Sequence, residues 1–281
     1  MAIIKRWLGK WIILSLLWFV LNLLDFSNLQ LANTTQQALL GNAMMAMLDS
    51  LVLCWVLAKS SKRGAALASL LFLAVFGMKF LLTAVEAVYL PDLQPIFFSL
   101  ILNGSISSLI WSITAVALND GFSSGEPSDE NVEKPDWSQK WVQWLYKPVI
   151  LAILWMILFV IFGGLIFMNL AKMIDPQALA VYSNLEMPDW VLPFQGLRSL
   201  LWLLVSLPLL MQLRGKRLSV MLLAGTTFGI WVGSNLFMAL DLSAGLRYAH
   251  LAEVMLECFV FGLLVVIMYT KNKKASVSSS E

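Results

Sequence analysis

The sequence predicts an all-α membrane protein with eight transmembrane helices. Hydrophobic residues make up 59% of the 281 residues and the mean hydropathy is +0.80. Charged residues make up only 13%, compared with about 25% in a soluble domain. Apolar blocks close to the length needed to cross the hydrocarbon layer alternate with short polar connections. The predicted spans are Trp11–Leu31, Ala38–Ala58, Gly64–Leu90, Pro95–Leu118, Pro148–Leu170, Val191–Leu213, Ser219–Leu240 and Leu246–Tyr269.

The distribution of basic residues predicts the topology. Most of the 19 Lys and Arg residues fall into five groups of three, and each group follows or precedes every second apolar block. Short loops rich in Lys and Arg stay in the cytoplasm, so both termini are expected there, in a plasma (inner) membrane protein. The groups are Lys5/Arg6/Lys10, Lys59/Lys62/Arg63, Lys134/Lys140/Lys147, Arg214/Lys216/Arg217 and Lys271/Lys273/Lys274.

The first apolar block is the shortest, and a signal peptide is the alternative to a membrane span. A charged segment followed by a short apolar stretch fits both interpretations. No small-x-small cleavage pattern follows the block, so a retained anchor is favoured.

The longest polar stretch divides the spans four and four. It starts with a Gly- and Ser-rich linker and continues with Trp137, Trp141 and Trp144, whose spacing of four and three predicts one face of an interfacial helix. The predicted organisation is a first four-helix half at residues 1–118, a cytoplasmic linker with the Trp helix at 119–147, a second half at 148–270, and a cytoplasmic tail at 271–281.

A weak similarity between the halves predicts an internal repeat. Spans three and seven each follow a Lys-Arg pair, contain a glycine and end near an acidic residue. Because each half begins and ends on the same side, the repeats would be parallel and related by an axis along the membrane normal. The matched positions are Gly77 with Gly233, Glu86 with Asp241, and Asn103 with Glu257.

Span eight has the highest density of ionisable residues within an apolar block. Arg247, His250, Glu253 and Glu257 are spaced by three, three and four, which puts them on one helical face. At 1.5 Å per residue, Glu257 is expected roughly 15 Å from the outer surface, near the centre of the bilayer. An ionisable group at that depth costs about 2.5–3.5 kcal/mol on insertion scales, so its presence indicates a specific role.

Further polar residues in spans two, three and four predict an acidic cavity that opens outward. Lys79 and Glu86 share a face of span three, Asp49 lies near the centre of span two, and Asn103 lies in span four. Asp241 is expected at the mouth of this cavity. The candidate ligand- or proton-binding residues are Glu257, Glu253, His250, Glu86, Lys79, Asp49, Asn103 and Asp241.

Three functions remain open at this point. The leading hypothesis is binding or translocation of a small cationic or proton-coupled ligand, with no cofactor, no metal and no catalytic residue. The second is a membrane subunit or scaffold in which Lys79 pairs with Asp49 or Glu257 only to fix helix packing. The third, an intramembrane metal enzyme, is disfavoured because the chain has one histidine and no zincin spacing.

Two further features concern partners. The basic residues form no continuous stripe, so no nucleic-acid partner is expected, and the lipid bilayer is the predicted environment. Gly225, Gly229 and Gly233 form a GxxxGxxxG stripe that permits close approach of another helix. An internal contact is favoured for this stripe, and a homodimer or membrane-partner seam is the alternative.

Overall fold

A computed structural model describes residues 2–27, 30–31, 35–89, 91–120, 133–182, 189–238 and 242–271. The described chain is a bundle of antiparallel helices with one two-stranded hairpin. The first part contains α1 (Ala2–Leu21), β1 (Leu24–Asp25), β2 (Gln30–Leu31), α2 (Gln36–Lys59), α3 (Gly64–Phe76), α4 (Leu82–Tyr89) and α5 (Phe97–Asp120). The second part contains α6 (Trp141–Phe162), α7 (Met168–Ile174), α8 (Pro176–Tyr182), α9 (Val191–Leu210), α10 (Arg217–Gly233) and α11 (Ala244–Tyr269).

Several of these helices continue through short turns of different pitch. A π-helical turn, Gly77–Leu81, joins α3 to α4, and a second one, Gly163–Phe167, joins α6 to α7. A 3₁₀ turn, Ser234–Met238, extends α10, and another, Pro91–Ile96, precedes α5. Single π turns inside α-helices occur frequently at functional sites.

Seven helical segments of the described chain are long and apolar enough to cross a membrane. Their bounds agree with predicted spans two to eight within a few residues, except that the fifth begins at Trp141 and ends at Ile174. The seven segments are Gln36–Lys59, Gly64–Val88, Gln94–Asn119, Trp141–Ile174, Val191–Leu210, Arg217–Met238 and Ala244–Tyr269.

The first predicted span differs most from the structure. Its apolar helical part, Trp7–Leu21, is shorter than the seven others, and the predicted continuation to Leu31 is replaced by the β1–β2 hairpin. The Asn22 side chain donates to the Trp18 carbonyl in the last turn of α1, and the Asp25 carboxylate accepts from Ser27 beyond it. Side chains that bond to nearby backbone in this way favour turns over helix, which is why the helix ends here.

The segment with three tryptophans also differs from its predicted form. No separate helix carries Trp137, Trp141 and Trp144, because α6 begins at Trp141 and runs without a break into the fifth span. Lys140 is its N-cap, and the Gln143 side chain accepts from the Lys140 backbone N–H. Trp137 precedes the helix and packs against the core.

Four of the basic groups come together at one end of the bundle. The backbone of Arg214 bonds to Lys59, that of Lys271 bonds to Asp136, and the Lys147 ammonium donates to the Met268 carbonyl at the end of α11. From the first group, the Lys10 side chain bonds to Asn119 at the end of α5. We call this the basic end, and the end with the hairpin and α8 the opposite end.

The two parts of the chain have corresponding helix contacts. In the first part, α1 packs against α2 and α5, and α3 packs against α5. In the second, α6 packs against α9 and α11, and α10 packs against α11. Across the two parts, α3 contacts α9 and α2 contacts α10. The core between them is rich in buried indole rings, at Trp18, Trp111, Trp155, Trp202 and Trp231.

The glycine stripe of α10 is covered by α11 of the same chain. A Cβ added to Gly225 would lie 2.9 Å from the Phe259 carbonyl oxygen, and one added to Gly229 would lie 2.7 Å from that of Met255. At Gly233 the nearest atom, Met255 Cγ, would be 2.5 Å away. A second copy could use this stripe only if α11 moved away.

Candidate functional site

The first group of charged residues is an ion pair in the middle of the bundle. Lys79 lies in the π turn after α3, and its ammonium is 2.8 Å from Asp49 Oδ2 of α2, with both side chains fully buried. The ammonium also donates to Ser234 Oγ at 2.8 Å and to the Trp231 carbonyl at 3.1 Å. Its three N–H groups therefore all have acceptors.

The carboxylate of this pair has a donor on each oxygen besides the lysine. Trp18 Nε1 of α1 donates to Asp49 Oδ2 at 2.9 Å, and Ser234 Oγ donates to Oδ1 at 2.8 Å. Trp231 Nε1 donates to the Asp49 carbonyl. We call these residues (Trp18, Asp49, Lys79, Trp231 and Ser234) the Asp49–Lys79 network. It joins α1, α2, α3 and α10 and leaves neither charge without a partner.

The second group lies along α11 and is less completely bonded. Glu257 is at the midpoint of α11, it is 3% exposed, and its Oε2 is buried without a hydrogen-bond partner. The charges that act on it are those of Glu253, one turn away, and of Arg198 in α9. We call Glu257, Glu253 and His250 the acidic face of α11.

The acidic face extends from the midpoint of α11 towards the opposite end. His250 Nδ1 lies 2.6 Å from Glu253 Oε2, and the His250 side chain is 36% exposed whereas that of Glu253 is 5% exposed. The π turn after α6 covers this part of the helix, since a Cβ on Gly163 would lie 3.3 Å from Glu253 Oε1 and Phe167 packs edge-on against the His250 ring. The three side chains therefore form a row from a partly exposed histidine to a buried carboxylate.

Arg198 connects the acidic face to the first part of the chain. Its Nη1 bonds to Glu86 Oε1 of α4 at 2.5 Å, and its guanidinium lies 4.7 Å from the centre of the Trp202 ring. Its Nε is buried and has no hydrogen-bond partner. The sequence alone indicates no role for Arg198, because nothing in the local pattern of α9 shows that its partner is a glutamate on a helix more than a hundred residues earlier.

The remaining predicted site residues have other positions. Asn103 Oδ1 accepts from the backbone N–H of Phe26 at 2.9 Å, and its amide donates to Asp25, so this residue holds the hairpin against α5. Asp241 lies outside the described residues. By their contacts, the predicted site residues include two groups in the described part of the chain: Lys79 pairs with Asp49, and His250 pairs with Glu253, with Glu257 one turn further along α11.

In the described part of the chain, no three His, Cys, Asp or Glu side chains lie close enough together to hold a metal ion. Cys54 and Cys258 are buried free thiols on α2 and α11. The acidic face can instead exchange a proton or bind a small cation, because it holds two adjacent carboxylates and one of them has an unbonded oxygen.

Comparisons of this chain with protein-family models, with curated proteins and with solved structures find no match. The seven long apolar helices are compatible with a multi-pass membrane protein that carries two charged groups inside its helical bundle.

Proposed function

We propose that this chain is a multi-pass membrane protein that binds, and moves across the bilayer, a small cationic or protonated ligand at the acidic face of α11. The observation that carries the proposal is the buried Oε2 of Glu257, which has no hydrogen-bond partner at the midpoint of a membrane-length helix. A buried polar atom without a partner costs about 1–3 kcal/mol, and more for a charged group, so such an atom is favoured where a ligand or proton completes the site.

The charge balance around Glu257 supports a positively charged ligand. The Arg198 guanidinium, whose charge acts on Glu257, is already bonded to Glu86, and Glu253 places a second carboxylate one turn from Glu257. The ionisable His250 is bonded to Glu253. An anion beside these carboxyl groups would be repelled in a medium of low dielectric constant, whereas a cation or a proton neutralises a carboxylate.

The proposal includes eight spans in two parallel halves, in a plasma (inner) membrane with both termini in the cytoplasm. The halves are residues 1–118 and 148–270, joined by the linker 119–147 and followed by the tail 271–281. The corresponding helix contacts of the two parts support this arrangement. So does the collection of basic residues at one end, because cytoplasmic loops are the basic ones.

The strongest support for the repeat lies in the first and fifth spans. Residues 7–21 and 144–158 are identical at eight of fifteen aligned positions. If the fifth span crosses the bilayer, its counterpart α1 is expected to do so as well. The identical pairs are Trp7 with Trp144, Leu8 with Leu145, Lys10 with Lys147, Ile13 with Ile150, Leu14 with Leu151, Leu17 with Leu154, Trp18 with Trp155, and Leu21 with Leu158.

The matched residues make matched contacts. Trp18 stacks on Trp111 of α5, the fourth span, with ring centres 4.3 Å apart. Trp155 packs edge-on against Phe261 of α11, the eighth span, at 5.2 Å. Each indole N–H donates to a polar side chain of the following span, which is Asp49 for Trp18 and Gln195 for Trp155.

A backbone bridge supports a two-fold relation between the halves. Ser60, just after the second span, pairs antiparallel with Leu213, just after the sixth. The Ser61 N–H donates to the Gln212 carbonyl, and the Arg214 N–H donates to the Lys59 carbonyl, both at 2.7 Å. Antiparallel backbone pairs commonly exchange two hydrogen bonds in this way, so the support lies in the bridge joining the ends of the second and sixth spans, which correspond to each other in a four-plus-four arrangement.

The test is charge movement in proteoliposomes adsorbed on a solid-supported membrane. Steps in sodium, tetramethylammonium or proton concentration are applied to wild type, Glu257→Gln and the control Glu133→Gln, whose side chain is exposed at the basic end. We expect a transient current with at least one of the three cations in wild type and in Glu133→Gln, and its loss in Glu257→Gln. Absence of current with all three cations in wild type would contradict the proposal.

The second candidate function is a membrane subunit or scaffold without transport, and the Asp49–Lys79 network favours it. This network has the complete hydrogen bonding of a structural element and joins four helices. Co-purification of a second polypeptide from the native host, together with absence of the currents described above, would support this alternative.

A further inference from the structure

An apolar groove of about 630 Å³ lies at the basic end, between the two parts of the chain. This volume is in the range of about 300–1,000 Å³ found for ligand sites. Leu70 of α3 forms one wall, and α6 and α9 form the others, with Pro148, Leu204 and Leu207 among the lining residues. The groove is open on one side, where Leu204 is 69% exposed. In a bilayer this open side faces the lipid chains.

Aromatic and polar residues lie at the end of the groove that is nearest the basic end of the bundle. Trp144 of α6 and Tyr269 of α11 lie against each other there, with ring centres 5.2 Å apart, and Gln212 follows α9. Tryptophan and tyrosine are enriched at the level of the lipid headgroups, because one part of the ring is apolar and the other bonds to water. The groove therefore spans the boundary between the chain region and the headgroup region of one leaflet.

Exposed lysines lie close in sequence to the residues at this end of the groove. Lys140 lies one turn before Trp144, Lys216 four residues after Gln212, and Lys271 two residues after Tyr269. The Lys271 side chain is 55% exposed. The acidic residues described at this end of the bundle are Asp120, Glu133 and Asp136, fewer than the basic ones. The positive charge at the mouth of the groove complements an anionic headgroup, and the apolar walls complement an acyl chain.

We propose that this groove binds one acyl chain of an anionic phospholipid, with its phosphate held by Lys140 and Lys216. The occupant bridges the halves, because its chain contacts Leu70 of the first part and α6 and α9 of the second. The inference is independent of the ligand proposed for Glu257, because no residue of the acidic face lines the groove.

A second apolar groove provides the matched control. It has a volume of about 330 Å³ and is lined by Ile153, Met156, Ile157, Val160, Ile161 and Leu192. Leu192 is at the start of α9, so this groove is displaced towards the opposite end, away from Lys140 and Lys216. A bulky substitution in this second groove is the control. If it leaves lipid binding unchanged, a loss caused by filling the basic-end groove is specific to that groove.

The experiment is native mass spectrometry of the full chain in mild detergent, with equimolar phosphatidylglycerol and phosphatidylcholine of the same acyl chains. We expect wild type to retain phosphatidylglycerol preferentially. Leu204→Trp, which fills the groove at an exposed position, should remove the preference, whereas Ile157→Trp should keep it. The double variant Lys140→Gln/Lys216→Gln should reduce the preference for phosphatidylglycerol by roughly tenfold or more. Each lysine near a charged lipid surface increases the affinity by about fivefold.

Two results would overturn the proposal. One is equal retention of the two lipids by wild type, and the other is equal phosphatidylglycerol retention in Leu204→Trp and Ile157→Trp. Because Leu204 and Ile157 are both exposed, neither substitution removes a core contact, and the thermal unfolding temperatures of the two variants check this directly.

Discussion

The Asp49–Lys79 network and the acidic face of α11 are both charged groups inside an apolar bundle, and they differ in how their atoms are bonded. In the network, each ammonium N–H and each carboxylate oxygen has a partner. On the acidic face, Glu257 Oε2 and the nearby Arg198 Nε are buried without hydrogen bonds. Complete bonding at the first site fits a fixed structural contact, while incomplete bonding at the second fits a site that gains a partner during function.

The largest expected effect comes from breaking the network. Lys79→Met leaves the Asp49 carboxylate buried without its counter-charge, and we expect the free energy of unfolding to fall by about 3–5 kcal/mol. Unfolding in mixed detergent micelles, followed by tryptophan fluorescence, measures this loss. In the double variant Asp49→Leu/Lys79→Met no charge remains, so most of the stability should return. If the double variant is as unstable as the sum of the two single variants, the pair is not a structural unit.

The two matched tryptophans give a finer comparison. Trp18→Phe removes a hydrogen bond to a charged acceptor, Asp49, and should cost about 1.5–3 kcal/mol for that bond. Trp155→Phe removes a bond to the neutral side chain of Gln195, and should cost about 0.5–1.5 kcal/mol. Both indoles are fully buried, so the loss of ring volume is similar and the difference reports the acceptor. Equal losses in the same unfolding experiment would contradict a special role for the charged network.

Glu257→Gln should lower the stability of the protein much less than the substitutions in the network do. Because its Oε2 makes no hydrogen bond, the amide loses no protein contact there, and we expect no loss of stability within about 0.5 kcal/mol. The matched substitution in the network, Asp49→Asn, removes the counter-charge of Lys79 and should destabilise by several kcal/mol, of the order of 3–5. Thermal unfolding of the two variants side by side checks this. If Glu257→Gln unfolds as readily as Asp49→Asn, the carboxylate of Glu257 is a structural element.

Much of the fold could be predicted from the sequence, because in a bilayer the length of each apolar block and the position of each charge are strongly constrained. The seven membrane-length helices follow from hydropathy alone, and the position of Glu257 at the midpoint of α11 follows from counting residues along a helix. The prediction failed where local hydrogen bonds compete with hydropathy, at the end of α1 and before α6. The identities between residues 7–21 and 144–158, among them Trp18 with Trp155 and Lys10 with Lys147, are also visible in the sequence, whereas the similarity of spans three and seven is weak.

The site could be predicted only in its parts. The face that carries His250, Glu253 and Glu257 is a property of one helix, so spacing identifies it. The partition into two groups depends on which helices are neighbours, and nothing in the local sequence of α9 specifies that Arg198 meets Glu86. The sequence left two possible partners for Lys79, Asp49 and Glu257. The structure pairs it with Asp49, and Ser234 in the 3₁₀ turn after α10 bonds to both side chains.

The smallest expected effect concerns Asp175, which bonds to the N-cap residue of α11, the helix that carries the acidic face. Asp175 lies between α7 and α8, outside the membrane-length helices. Its carboxylate accepts from Ser243 Oγ at 2.7 Å and from the Ala178 backbone N–H at 3.1 Å. Ser243 is itself the N-cap of α11. The hydrogen bond from Ser243, and then that from Ala178, lower the pKa of Asp175 from its ordinary value of 3.8.

This shift gives a pH dependence of defined sign. A carboxyl group whose pKa is lowered by folding stabilises the folded form above its unfolded pKa, and that stabilisation is lost as the pH falls through the folded pKa. We therefore expect amide protection at Ala178 and Leu246, measured by hydrogen exchange and corrected for intrinsic rates, to decrease below about pH 4. Asp175→Asn retains a capping oxygen but does not titrate, so its protection should not change over this range. The Asp49–Lys79 network has no contact with Asp175, and amides around Asp49 should show no such step in either protein. A decrease of equal size in Asp175→Asn would assign the effect to another carboxyl group at this end of the bundle.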